Sequence, residues 1–240
     1  MKQMNKESEK NRKEETMDEN RYPLFNRVRH DPDVKVYISE QNIAMKALGF
    51  TEHSQAHVKV VADRTAEILE ELGDSDHTID LALTAAWLHD IGNIVNRKDH
   101  SQSGAMMAFE ILRGMQVPAE DIAKIICAIG NHDEGTGVPV SRISAALILA
   151  DKSDVRRSRV QKEDFASFDI HDRVNYSVTQ SQLKINKTHT AIKLKLEIDT
   201  KYGEIGEFLE IFMERMLLCR RAAAYLQMEF HLIINEQTLF

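Results

Sequence analysis

The stretch LALTAAWLHDIGN, from Leu81 to Asn93, decides the reading of this chain. Ser75 or Asp76 can cap a helix that runs through it to about Leu88, apolar on nearly every side and so fit only for the middle of a packed bundle. Its end carries an adjacent imidazole and carboxylate, His89 and Asp90. Desolvating such a pair is costly unless something compensates it, and a divalent cation would do so. The bland alternative is a capping Asp beside a half-buried His.

Working outward, the pattern predicts further helices with short connections, as in a compact helical bundle. Val34, Ile38, Ala44, Met45 and Leu48 suggest one ended by Gly49, and Thr51 can cap another running to about Leu72, where Gly73 stops it. Asp99 precedes a helix through Leu112 ended by Gly114. Pro118 suits the first turn of one reaching Ile129, and Ser141 opens one through Ala150.

After about residue 165 the texture changes. Ile192, Leu194, Leu196 and Ile198 alternate with Lys193, Lys195, Glu197 and Asp199, the mark of a half-buried strand. Leu183 and Ile185 offer a partner strand across Asn186-Lys187-Thr188, and His231 to Ile234 a third after a helix spanning roughly Gly206 to Met228. The expected fold class is mainly α: a helical bundle over 23–165 with a small C-terminal α+β unit over 166–240. Residues 1–22 are expected to form a disordered charged arm, because the first twenty carry eleven charges and only three apolar side chains, all Met.

Composition limits the function classes. With 31 basic against 38 acidic residues the net charge is −7, which gives no general attraction to nucleic acid or anionic lipid. The 2 cysteines, Cys127 and Cys219, sit in separate apolar stretches and exclude a disulfide framework or a cysteine zinc site. Apolar runs are short and broken by charge, and the chain opens on a charged stretch, so no membrane span or signal peptide is expected and a cytoplasmic protein is.

The chemistry lies in imidazoles and carboxylates at helix ends: His57, His89, Asp90, His100, His132 and Asp151, each able to ligate a hard or borderline metal. Among neighbouring groups, His53, four residues before His57, could stand behind the ligands on the same helical face but reads first as a surface residue. Asp133 and Glu134, beside His132, could help proton transfer but read first as solvated loop acids, and Asp154, one turn after Asp151, has the same ambiguity.

In this order the residues resemble the HD-domain metal-dependent phosphohydrolases. The string LHDIGN at Leu88 to Asn93 matches the HDIG form of that family's motif, with His57 in HVKVVADRTAEIL upstream and Asp151 in LILADKSD downstream. The resemblance implies that His57, His89, Asp90 and Asp151 are metal ligands. His100, in DHSQSGA, and His132 look like the extra histidines of dinuclear subgroups, among them the HD-GYP cyclic-dinucleotide phosphodiesterases and the HD-type dinucleoside tetraphosphate hydrolases. NHDEGTGVP, Asn131 to Pro139, is similar to the HD-GYP signature but shorter, with Asn131 in place of its first His and no Tyr. Asn93 stands where many HDIG proteins carry Lys.

The function implied is hydrolysis of a small phosphorylated substrate, a nucleotide or a linear or cyclic dinucleotide. Two divalent ions, iron or manganese, would be bridged by Asp90, with His57, His89 and Asp151 completing one and His100 and His132 the other. An activated water between them would attack phosphorus. Catalytic roles then fall to Asp90, His89 and Lys152, and phosphate contacts to Arg97, Lys152, Arg156 and Arg157, although the basic run Lys152 to Lys162 also reads simply as cations at a helix C-terminus. Two other functions use the same sequence: a dinuclear iron oxygenase of the HD superfamily, and a non-catalytic nucleotide-binding or docking module. Phe208, Phe212, Met213 and Met216 suggest a homodimer face, with core packing as the default reading.

Overall fold

The computed structural model describes residues 21–162 and 164–240. Of the expected charged arm, residues 1–20 lie outside the described residues; Arg21 and Tyr22, counted with it, are anchored on the bundle. Tyr22 is buried and its hydroxyl donates to Glu70 at 2.7 Å, while Arg21 pairs with Glu70 and Asp76.

Among the described residues the helices are α1 (Pro23–His30), α2 (Pro32–Ala47), α3 (Gln55–Glu71), α4 (Asp76–Leu88), α5 (His100–Gly114), α6 (Ala119–Gly130), α7 (Arg142–Lys152), α8 (Ile170–Ser177) and α9 (Ile205–Tyr225). A short 3₁₀ turn, Ile91–Ile94, follows α4. Two helices form the axis of the molecule. Ile79 to Leu88 of α4 and Ile143 to Lys152 of α7 are buried at every position, as helices apolar all round must be. Around them pack α1, α3 and α6 on α4, and α3 and α9 on α7.

Several helix ends differ from the expected ones. Ser54, rather than Thr51, caps α3, because its hydroxyl reaches Ala56 N–H at 3.1 Å. Pro118 is the N-cap of α6 rather than a first-turn residue. Gly114 lies inside α5, and the chain turns at Gln116 with φ +58°. The helix α1 was not anticipated; its first backbone N–H groups are held by the buried Asp80, which accepts from Leu24 at 3.0 Å and Phe25 at 2.7 Å. Ser75 and Ser141 cap α4 and α7 as expected.

The C-terminal unit is a sheet of order β1-β2-β3-β4, built from β1 (Val178–Ile185), β2 (Ala191–Ile198), β3 (Glu229–Ile234) and β4 (Gln237–Thr238). β1 and β2 are antiparallel across the anticipated Asn186 turn, and α9 carries the chain over so that β3 joins β2 in parallel. The alternation works as expected: Ile192, Leu194, Leu196 and Ile198 are all buried. Phe208, Phe212 and Met216 are buried in the chain's own core, so the stripe that suggested a dimer face has an internal partner; Met213 is only partly covered. Among the described residues no helix is long and apolar enough to cross a membrane.

Gly92 is fixed by close approach. A Cβ on Gly92 would lie 2.0 Å from His100 O and 2.4 Å from Gly104 N, because the 3₁₀ turn rests directly on the first turn of α5. Gly92→Ala is therefore expected to lower stability by about 3 kcal/mol or more, since the obstruction is backbone that cannot rotate away. Gly114→Ala, where an added methyl meets nothing within 4 Å, is expected to raise stability by roughly 0.5–1 kcal/mol. Urea denaturation of both variants checks the pair; equal effects would contradict this packing.

Candidate metal centre

Five segments deliver the six expected ligands to one point. His57 sits in the first turn of α3, His89 and Asp90 at the C-terminus of α4, His100 at the start of α5, His132 just after α6, and Asp151 in the last turn of α7. All six are buried.

Asp90 stands in the middle and faces two ways. Its Oδ2 lies 3.4 Å from His57 Nε2 and 3.2 Å from His89 Nε2, and its Oδ1 lies 3.4 Å from His100 Nε2 and 3.9 Å from His132 Nε2. Asp151 Oδ1 closes the first side, 3.4 Å from His57 Nε2 and 3.7 Å from His89 Nε2. Two overlapping groups have ligand atoms close enough to hold a cation: His57, His89 and Asp151, and His89, Asp90 and His132.

The tautomers follow from the outer hydrogen bonds. His57 Nδ1 donates to Asp154 Oδ2 at 2.8 Å, His89 Nδ1 to Ala86 O at 2.8 Å, His100 Nδ1 to Arg97 O at 3.1 Å, and His132 Nδ1 to Ile129 O at 2.6 Å. With every Nδ1–H engaged outward, each neutral ring turns an Nε2 lone pair inward. His57 Nε2 and His89 Nε2 are buried without a hydrogen-bond partner, and the Nε2 atoms of His100 and His132 confront each other at 3.2 Å. Inward lone pairs and carboxylate oxygens repel in a low dielectric; a divalent cation removes the repulsion, and nitrogen and oxygen donors of this kind suit one. The residues fit a metal.

The electrostatics agree. Burial works against charge on Asp90, but the surrounding imidazoles, His89 foremost, hold its carboxyl well below the usual range. Burial likewise opposes ionisation of Asp151, and Lys152, His57 and His89 outweigh it. His89 is pushed up to about 10 because Asp90 and Asp151 more than offset its burial. The field that would hold a proton there would equally hold a metal ion.

The basic residues divide. Lys152 is buried and ion-paired with Asp151 Oδ2 at 2.8 Å and Glu134 Oε2 at 2.6 Å, so it holds Asp151 rather than standing free for a phosphate. Arg97 stands beside the cluster, 3.3 Å from Asn93 Oδ1 and 3.2 Å from His100 Nε2. Arg156 grips Asp154, behind His57. Arg157 donates to Tyr176 O and lies over the rings of Tyr176 and Tyr202 at 4.4 and 5.2 Å, which ties it to the C-terminal unit instead of the centre.

Four residues read as bland or overlooked belong here. His53 is buried, not on the surface, with Nδ1 bonded to Thr51 O at 2.6 Å and Nε2 4.0 Å from Asp90 Oδ2. Glu134 is not a solvated acid but the shared partner of Lys152 and Arg215. Asp154 is fully buried and orients His57. Arg215 arrives from α9, and no local signal marks it; for His53, spacing of four from His57 is the one clue. A cleft of about 290 Å³ opens beside the cluster, with His53, Arg97 and Glu134 on one wall and Phe212 and Arg215 on the other.

Because carboxylates behind ligating histidines set ring orientation and basicity, Asp154→Asn is expected to weaken metal retention roughly 10–100-fold with the fold intact. Asp63→Asn, in an exposed pair with Lys59, is expected to leave it unchanged. Competition against a chromogenic chelator measures both, and equal retention in the two variants would contradict the role given to Asp154.

Comparison with known proteins follows the same geometry. Residues 55–163 match the family model described as the HD domain. The chain is also 23% identical over 185 residues, covering 67% of itself and 71% of the other, to an uncharacterized protein of Methanocaldococcus jannaschii. HD domains bind divalent metals, the matched residues include all five segments that build this buried cluster, and residues 55–163 are similar to the HD domain of the metal-dependent phosphohydrolases.

Proposed function

We propose that the protein hydrolyses a phosphate ester or anhydride of a small substrate, a nucleotide or a linear or cyclic dinucleotide, with two divalent ions in the cluster. The observation that carries this reading is the two-faced carboxylate of Asp90: Oδ2 turned to His57 and His89, Oδ1 turned to His100 and His132. His57, His89, Asp90 and Asp151 would hold one ion, and Asp90, His100 and His132 the other. Iron and manganese suit such imidazole and carboxylate sets.

Divalent ions so placed would lower the pKa of bound water toward neutrality and draw negative charge off the phosphoryl oxygens. The chain's own groups supply the rest. Asp154 keeps His57 Nε2 aimed inward, and Lys152 pins Asp151 Oδ2 so that Oδ1 faces His57 and His89. Arg97, one quarter exposed, adds positive charge at the edge where a phosphate would enter. Burial of the cluster excludes bulk water and strengthens each of these interactions.

Protein purified without chelator is expected to carry about two ions per chain by mass spectrometry, and to hydrolyse phosphate esters in a manner abolished by chelation. His89→Ala and Asp90→Ala are expected to bring turnover to background. Turnover unchanged in both variants, or no bound metal after reconstitution with iron or manganese, would overturn the proposal.

A further inference from the structure

The cleft beside the cluster has walls of different origin, and each presents an arginine. Arg97, three residues before His100, stands on the wall of the helical bundle; Arg215, from α9, stands on the wall of the C-terminal unit. Arg215 gives its Nε to Glu134 Oε1 at 2.8 Å. Its four other N–H donors find no acceptor among the described residues, and the side chain is 22% exposed. Glu134 is shared with the buried Lys152, so one carboxylate serves two cations. Arg97 has hydrogen bonds of 3.3 Å to Asn93 Oδ1 and 3.2 Å to His100 Nε2, and its nearest carboxylate, Asp133, is 4.0 Å away. At the far end of the cleft the acids do not oppose an anion, because Lys162 engages both Asp169 and Asp172.

The same cleft exposes a flat apolar surface. Phe50, between α2 and α3, is 43% exposed and lies 5.9 Å from the Arg97 guanidinium. An exposed ring beside a cation is a platform on which a planar group can stack.

We infer that Arg215, supplied by the C-terminal unit, closes with Arg97 on the substrate's phosphoryl group, and that the substrate carries a flat ring resting on Phe50. The inference rests on the phosphohydrolase reading for the identity of the anion. It gives the C-terminal unit a task, as the second wall of the binding cleft, and makes Arg215 a substrate-contacting residue.

Equilibrium binding of inorganic phosphate, ribose phosphate and adenosine monophosphate to the metal-loaded protein tests it. Loss of a charge-assisted contact predicts that Arg215→Ala weakens all three by about 10–100-fold, with metal content per chain unchanged, and that Arg215→Lys recovers part of the loss. Wild-type protein is expected to hold adenosine monophosphate at least about tenfold tighter than ribose phosphate, an advantage that Phe50→Ala removes without weakening ribose phosphate. Unchanged binding in Arg215→Ala, or metal lost in parallel with the anion, would overturn the role of Arg215. Equal affinity for the two sugar phosphates would overturn the ring. Binding as expected with no hydrolysis of any ester would keep the clamp and reject the hydrolase reading; hydrolysis with Arg215→Ala unaffected would do the reverse.

Discussion

A carboxylate enclosed by imidazoles that all turn the same nitrogen toward it is the constraint from which the rest of the molecule follows. Each ring is locked by an outward hydrogen bond from Nδ1, so none can rotate away, and the inward lone pairs are left facing Asp90. Removing such groups from water costs several kcal/mol per charge unless a partner of opposite sign is present. The fold supplies the rigidity that keeps this arrangement: α4 and α7, buried from Ile79 to Leu88 and from Ile143 to Lys152, end at the centre and fix His89, Asp90 and Asp151 relative to one another. The 3₁₀ turn then brings the chain so tightly onto α5 that only glycine fits at position 92, which sets His100 opposite Asp90.

The C-terminal unit is coupled to this centre through side chains. From Asp151 a chain of ion pairs runs through Lys152 and Glu134 to Arg215 on α9. Burial disfavours charge on Lys152, yet Asp151 and Glu134 raise its pKa above the usual lysine value, so the ammonium remains charged deep in the protein. Arg157 adds a second tie, seated on Tyr176 and Tyr202. A shift of α9 would therefore be felt at Asp151, since the groups between them are ion-paired at each step.

Which features were legible in the sequence follows from how local their causes are. The bundle, the Ser75 and Ser141 caps, and the alternating strand from Ile192 to Ile198 rest on near neighbours, and these agree with the structure. Helix α1 was hidden because its N-terminal donors are satisfied by Asp80, more than fifty residues away. The six residues of the cluster could be picked out because their chemistry is unusual at the ends of apolar helices. Their neighbours could not. Glu134 and His53 look like ordinary surface polar residues until the fold brings Lys152, Arg215 and Asp90 against them, and the Arg157 guanidinium looked available for phosphate until two tyrosines 19 and 45 residues further on enclosed it.

The central claim is that the inward-facing nitrogens and carboxylate oxygens are there to hold metal. Anomalous X-ray scattering from crystals grown with manganese or iron, recorded at the absorption edge of the ion, tests it most directly. The account predicts two peaks, one on each side of Asp90, within coordination distance of His57 and His89 Nε2 on one side and His100 and His132 Nε2 on the other. Crystals with no peak at the cluster, and ordered water bonded to those nitrogens instead, would contradict it.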